Sequence, residues 1–289
     1  MTNRDDMPTA PIDLRAIDRA RTRRAFHRGA AVGLAALAVI SAVLVRGDHK
    51  AVVPLEPTAS LQQPVPIAEI AAIAPAPLAR YADFNGTKAS PEARHVADWV
   101  ADSRDNAGVD FVMLDKRQAT LYVFDAQARL LGASPVLLGA ARGDDSVPGI
   151  GARPIAAVRP HERTTPAGRF VGERGRNARG EDVVWVDYDA AVSMHRVRAT
   201  VAKERRLQRL ATKTVADNRI SYGCINVPVA FYEALVRPTF ASRRAIVYVL
   251  PEQKSAEQVF GSYDVAAARV ASERLALRSQ MRNVGATVQ

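Results

Sequence analysis

The chain has 289 residues, 48% of them hydrophobic, with a formal charge of +10 and a single cysteine, Cys224. That length and apolar content allow one sizeable core plus appendages, and one cysteine excludes an internal disulfide framework. The positive balance suits anionic lipid headgroups and anionic polymers; nucleic acid is set aside as a partner because no zinc-finger spacing and no aromatic-basic motif occurs.

Residues 1–28 are polar and arginine-rich, and Gly29 to Val45 ("GAAVGLAALAVISAVLV") then runs without a charge. At ~1.5 Å per helical residue that run spans roughly 25 Å, the short end of what crosses a ~30 Å hydrocarbon layer, and 29–45 is predicted to be a signal anchor or single membrane-spanning helix. Arg21, Arg23, Arg24 and Arg28 precede it, which holds 1–28 in the cytoplasm and sends the remainder outward. "TRRAFHR", with the pair Arg23 and Arg24, also fits a twin-arginine export signal. A retained anchor is preferred to a cleaved peptide because the leading polar region is long and no clean small-residue cleavage site follows Val45.

Residues 46–89 are rich in Pro and Ala and read as an extended tether. An accessory helix is expected over 90–107, with Ser90 as cap, Pro91 in the first turn, and Val96, Trp99 and Val100 as apolar positions. Residues 108–250 change texture: "VDFVMLDKRQATLYVFDAQARLLGASPVLLG" reads as three strands broken at "DKRQ" and "DAQAR". Further strands are expected at "GRFVGER", "DVVWVDYD" and "AIVYVLP", with a glycine- and proline-rich loop at "GARGDDSVPGIGARP". Phe170, Trp185 and Tyr188 read as core or cleft-wall aromatics, and Thr165 and Pro166 as turn residues. Residues 251–289 form a helical C-terminal extension. The body is therefore mainly β with a few helices, and nothing in the chain speaks to its oligomeric state.

A lone cysteine is commonly a small core hydrophobe, yet in an oxidising compartment it must be reactive, buried or paired with another chain. Nucleophilic attack on a carbonyl needs the thiolate, hence a base that lowers the thiol pKa from ~8.5. Of the five histidines, His27 and His49 precede the β body, His95 falls on the accessory helix and His161 in the loop region. His195 ends a strand-like stretch in the same β domain as the thiol. Gly223, directly before Cys224, permits a sharp turn that would leave the amides of Gly223 and Cys224 free to hold an oxyanion. On this spacing alone a catalytic and a structural thiol fit equally well.

His195 followed by Ser221, Tyr222, Gly223, Cys224, Ile225 and Asn226 resembles the signature of the L,D-transpeptidase catalytic domain, also called the YkuD domain. That signature is a histidine, a gap, then Ser/Thr-His-Gly-Cys, an apolar residue and Arg or Asn. "TTPAGRF" (Thr164 to Phe170) is similar to the family's Thr-Pro-x-Gly-x-aromatic segment, and "LDKRQATLYVFD" to its first hairpin; together they cover roughly 108–250. The resemblance implies a β-sandwich catalytic domain in the bacterial cell envelope, anchored to the inner membrane with the domain in the periplasm. Its substrate would be peptidoglycan stem tetrapeptides and its activity a cysteine-dependent acyl transfer, with Cys224 as nucleophile and His195 as general base and acid. Gly223, Tyr222, Ser221, Asn226 and Arg196 are implied in the oxyanion hole or in substrate binding, with no metal and no cofactor. Water as acceptor would give an L,D-carboxypeptidase; related alternatives are attachment or cleavage of wall proteins, or a catalytically inactive wall-binding protein.

Two residues depart from the pattern: Tyr222 stands where the family has a second histidine, and Arg196 where it commonly has a small residue. In addition, 29 positions separate His195 from Cys224, more than the family's usual gap. The added stretch 196–213, "RVRATVAKERRLQRLATK", is predicted as a basic helix. It would be either a solvated charged face or an overhang whose Arg205, Arg206 and Arg209 attract an acidic peptide stem.

Overall fold

The computed structural model describes residues 80–241 and 243–286; the predicted basic segment, the membrane run and most of the tether lie outside the described residues. Of the chain's two compact units, Ile12–Pro75 is wholly outside them, and the other contains every described residue. Among the described residues no helix is long and apolar enough to cross a membrane. The last part of the predicted tether belongs to the domain, because Phe84 is buried edge-on against Tyr122 and Phe124.

Helix α1 (Pro91–Ser103) begins where Ser90 Oγ accepts the Ala93 N–H at 3.0 Å and Pro91 occupies the first turn. The same hydroxyl donates to Asp115 at 2.6 Å, which ties the helix start to the end of β1. The strands follow in order as β1 (Phe111–Asp115), β2 (Thr120–Phe124), β3 (Leu130–Pro135), β4 (Leu138–Gly139) and β5 (Gly168–Arg176). Next come β6 (Asp182–Asp187), β7 (Val192–Arg196), helix α2 (Arg206–Ala211), β8 (Arg219–Ser221) and β9 (Ile225–Val227). The described chain closes with a helical stretch α3 (229–239), β10 (Ala245–Val249), α4 (Ala256–Phe260) and α5 (Val265–Ala286).

One eight-stranded sheet runs β3-β2-β1-β10-β5-β6-β7-β9, antiparallel except at β1/β10 and β7/β9, and β4 pairs with β8 in a separate two-stranded ladder. The sandwich implied by the resemblance is instead a single sheet that curls until its ends meet. Leu137, just past β3, exchanges both backbone hydrogen bonds with Asn226 of β9, at 2.9 and 2.8 Å. Alternation decides the rest. Val112 and Leu114 point into the barrel-like interior with Val184, Met194, Ile225, Val227 and Val247, and α3 adds Tyr232 and Val236. Phe111 and Met113 point the other way, under Val96 and Trp99 of α1, with Tyr122, Phe124 and Tyr248. Both faces of β1 and β10 are thus covered, which explains their unbroken apolar runs.

The basic helix predicted over 196–213 is mostly absent. A short 3-10 turn (Ala202–Glu204) leads to Arg205 at φ 50°, and only the six residues of α2 follow. A left-handed residue cannot continue a right-handed helix, so favourable composition on both sides does not join them.

Candidate active site

β7 and β9 are parallel neighbours, with Met194 opposite Ile225 and His195 opposite Asn226. Met194 and Ile225 are fully buried in the barrel, so alternation turns Ser193, His195, Cys224 and Asn226 to the outer face. Two residues distant in the chain are brought together in this way, close enough for His195 and Cys224 to shift each other's titration. The sulfur is half-buried, 3.7 Å from both Ser193 Oγ and the Ala191 carbonyl.

Nδ1 of His195 lies 2.8 Å from the Arg196 carbonyl oxygen. A carbonyl only accepts, so Nδ1 carries the hydrogen and Nε2 is left with a lone pair for the thiol proton. Burial pushes the imidazole pKa down, but the sulfur and the Arg196 carbonyl raise it further, to a net value above the ordinary one. Burial pushes the thiol up, while the His195 bond and charge and the Ser193 contacts outweigh it and leave Cys224 below its ordinary value. Both shifts favour a thiolate–imidazolium pair. We expect iodoacetamide to alkylate folded Cys224 with a midpoint below the ~8.5 of a free thiol. In His195→Ala the midpoint should rise, because burial would then be opposed only by the Ser193 contacts; a stopped-flow pH profile checks both.

The turn holding the thiol is braced from several sides. Ser221 Oγ donates to the Cys224 carbonyl at 2.6 Å and accepts the Gly223 N–H at 3.1 Å. The Gly223 amide, which the sequence offers to an oxyanion, is thus bonded to Ser221 in this structure. The loop and turn backbone hydrogen bonds of the described residues include neither the Tyr222 nor the Cys224 N–H. Gly223 sits at φ +132°, and a Cβ there would meet the Thr164 carbonyl oxygen at 2.7 Å. Gly223→Ala should therefore lower stability by ~1–3 kcal/mol and abolish the low-pH reactivity of the thiol; a thermal melt beside the alkylation profile reads both.

The second motif acts through this turn. Thr165 Oγ1, fully buried, donates to the Gly223 carbonyl at 2.8 Å and accepts the Gly139 N–H at 3.0 Å. Behind it, Lys116 is 0% exposed, and its ammonium donates to the Gly143 carbonyl (2.6 Å), Asp144 (2.8 Å) and the Thr165 carbonyl (3.0 Å). Asp144 also accepts the N–H groups of Glu252, Gln253 and Lys254. Burial works to raise its pKa, but these bonds hold the carboxyl well below the usual range.

Asn226 is buried, and its Nδ2 donates to the Cys224 carbonyl at 3.1 Å, so it braces rather than faces solvent. Tyr222 stands on the rim, 38% exposed, with the Arg163 guanidinium 4.0 Å over its ring. Arg196 is not brought to the thiol. Its side chain alternates to the other face, over the Tyr232 ring at 4.5 Å, and pairs with Asp182 (2.9 Å) and Glu233 (2.5 Å). Arg206 and Arg209 of the inserted stretch are turned inward, Arg206 onto Asn226 and Arg209 onto the carbonyls of Glu204 and Asp217. Of the three cations expected to reach outward, Arg205 alone is exposed.

His95 is hydrogen-bonded to Ser262 at 2.9 Å and His161 is exposed, while His27 and His49 lie outside the described residues. Ser193 and Lys116 join the site without a place among the residues expected from the sequence. Ser193 carries a readable signal, its two-residue offset from His195 on a strand. A cleft of about 550 Å³ opens beside His195, lined by Arg174, Arg176, Glu181, Arg198 and Arg237 among others. Among the described residues no group of three or more His, Cys, Asp or Glu side chains is placed to hold a metal ion.

No protein-family profile and no curated protein sequence matches the chain. Among solved structures, it is similar to the helical cell shape determining protein Pgp2 from Campylobacter jejuni. That match has a TM-score of 0.35 and 15% identity, and covers 54% of this chain and 55% of that one, about half its length. It is similar also to the LD transpeptidase LdtMt1 solved in complex with imipenem (TM-score 0.29, 16% identity, 49% of this chain and 59% of that one). A third is the catalytic domain of the E. faecium L,D-transpeptidase (TM-score 0.25, 15% identity, 50% of this chain and 98% of that one).

Proposed function

We propose that the protein is a peptidoglycan L,D-transpeptidase working through an acyl-enzyme on Cys224. The observation that carries this reading is the half-buried thiol beside an imidazole that draws its pKa down and whose Nδ1 is fixed by a carbonyl, on a turn built around Gly223. The ordered motifs around His195, Thr165 and Cys224 supply the substrate class by resemblance.

In the proposed cycle His195 Nε2 takes the thiol proton as sulfur attacks the carbonyl carbon of the L-centre in a stem tetrapeptide. The N–H groups of Tyr222 and Cys224 hold the oxyanion. Collapse breaks the amide bond, His195 returns the proton to the leaving amine of D-alanine, and the acyl group stays on sulfur. An amine of a second stem then attacks, gives its proton to His195 and frees the thiol with a new crosslink; water in its place gives a tripeptide. The arginines of the neighbouring cleft suit the carboxylates of such stems. The basic segment 1–28 and the apolar run 29–45 would hold the domain on the outer side of the inner membrane.

A β-lactam is a strained amide that acylates a reachable thiolate and stays attached. Exposure to imipenem should add one ring-opened drug mass to the intact protein and none to Cys224→Ala. A folded wild-type protein that takes no adduct would refute the enzyme and leave a wall-binding protein.

A further inference from the structure

The stretch 196–213 has no role in the proposed cycle, yet it delivers one side chain to the back of the thiol. Arg206, at the start of α2, places Nη1 2.5 Å from Asn226 Oδ1. Asn226 passes that contact on, its Nδ2 donating to the Cys224 carbonyl that also accepts from Ser221 Oγ. Glu204 fixes the other edge of the guanidinium through Nε at 2.6 Å. Arg209, one turn on, fastens α2 to the Glu204 carbonyl at 2.9 Å and the Asp217 carbonyl at 3.0 Å. The Arg206 side chain is 15% exposed, so its placement is built, not incidental to a solvated face.

We propose that Arg206 is a positioning residue of the thiol site: through Asn226 it fixes the Cys224 carbonyl, and it holds a permanent positive charge beside the His195–Cys224 pair. The inference rests on that pair, as the proposed function does, but not on its substrate. Charged groups face His195 from several elements, with Arg174, Arg176, Asp182, Arg198 and Arg237 lining the cleft beside it. Cys224 lies on the β9 side, Glu181 in the turn before β6, and Arg206 on α2, while the Arg196 carbonyl holds Nδ1. Arg206 works against the imidazolium and lowers its pKa, a smaller effect than those of burial and of the sulfur. Removing a positive charge raises every nearby pKa, so both the imidazole and the thiol should titrate higher without it.

The test is the pH profile of iodoacetamide alkylation on the full chain, read beside the His195 ring-proton shifts in NMR. In Arg206→Gln the rate at pH 6 should fall ~3–10-fold, and the imidazole midpoint should rise. Arg206→Lys keeps the charge but cannot bond Glu204 and Asn226 in the same fork. It should hold the midpoint near wild type while lowering the high-pH plateau rate. Lys203→Gln removes an exposed neighbouring charge and should change neither. A folded Arg206→Gln with an unshifted profile would overturn the proposal, as would an equal shift in Lys203→Gln. Should Arg206→Gln fail to fold, an Arg206→Lys profile identical to wild type in both midpoint and plateau would overturn it as well. Alkylation needs no stem peptide, so a missing imipenem adduct sinks the transpeptidase reading and leaves this result standing.

Discussion

Cys224→Ala should release no D-alanine from stem tetrapeptides, and His195→Ala should lose ~10²–10⁴-fold in kcat/KM. The difference between them follows from their parts in the reaction. Without sulfur there is no atom to carry the acyl group; the Ser193 hydroxyl lies 3.7 Å from the sulfur and has no hydrogen bond to a base among the described residues. Without the imidazole a thiolate still forms at high pH, so residual activity should climb with pH where the wild type is flat. Cys224→Ser should behave as Cys224→Ala, because an alcohol beside an unassisted imidazole stays protonated. Rate measurements between pH 6 and 10 on the three variants read this directly, and D-alanine release by Cys224→Ala at the wild-type rate would remove the thiol from the mechanism.

The largest loss of stability is expected at Lys116, far from the thiol in sequence and one contact behind its turn in space. All three ammonium hydrogens are used, on two carbonyls and Asp144, with no exposure to water. Lys116→Met keeps the stem and removes the charge, leaving two carbonyl oxygens without their donor and the Asp144 carboxylate with only its backbone N–H donors. Breaking one partner of a buried pair costs ~3–5 kcal/mol. For a domain of this size that is a fall in Tm on the order of 10 °C. Because Lys116 also holds the Thr165 carbonyl, and Thr165 the Gly223 carbonyl, the variant should slow alkylation of Cys224 even below its own Tm. A melt unchanged within about 1 kcal/mol would show that this network carries no weight.

Much of this architecture is legible in the sequence, and what is hidden is hidden for definable reasons. Ser90 and Pro91 mark the start of α1 through the bonds they make and lack, and the apolar runs around "DKRQ" and "DAQAR" mark β1 to β3. Cys224 and His195 stand out in the sequence as candidates, because few residue types could perform the chemistry proposed for them. The strands that flank the thiol do not: β8 and β9 have three residues each, too few for a period to show. Curling of the sheet depends on the Leu137–Asn226 pairing, which no local pattern announces. Arg196 reads as a substrate residue because its partners Asp182 and Glu233, which account for its charge, are distant in the chain. Lys116 reads as an ordinary hairpin lysine for the same reason, its partner Asp144 lying 28 positions on. Composition puts Arg206 in a basic helix, whereas the left-handed Arg205 and the contact to Asn226 turn it inward.

The central claim is that Cys224 accepts and passes on the acyl group of a stem peptide. Full-length protein incubated with tetrapeptide-rich sacculi, followed by muropeptide analysis by mass spectrometry, tests it most directly. The account predicts loss of tetrapeptides with 3-3 crosslinked dimers or tripeptides in their place, and no change with Cys224→Ala. An unchanged muropeptide profile from folded protein whose Cys224 still alkylates below the free-thiol midpoint would contradict it.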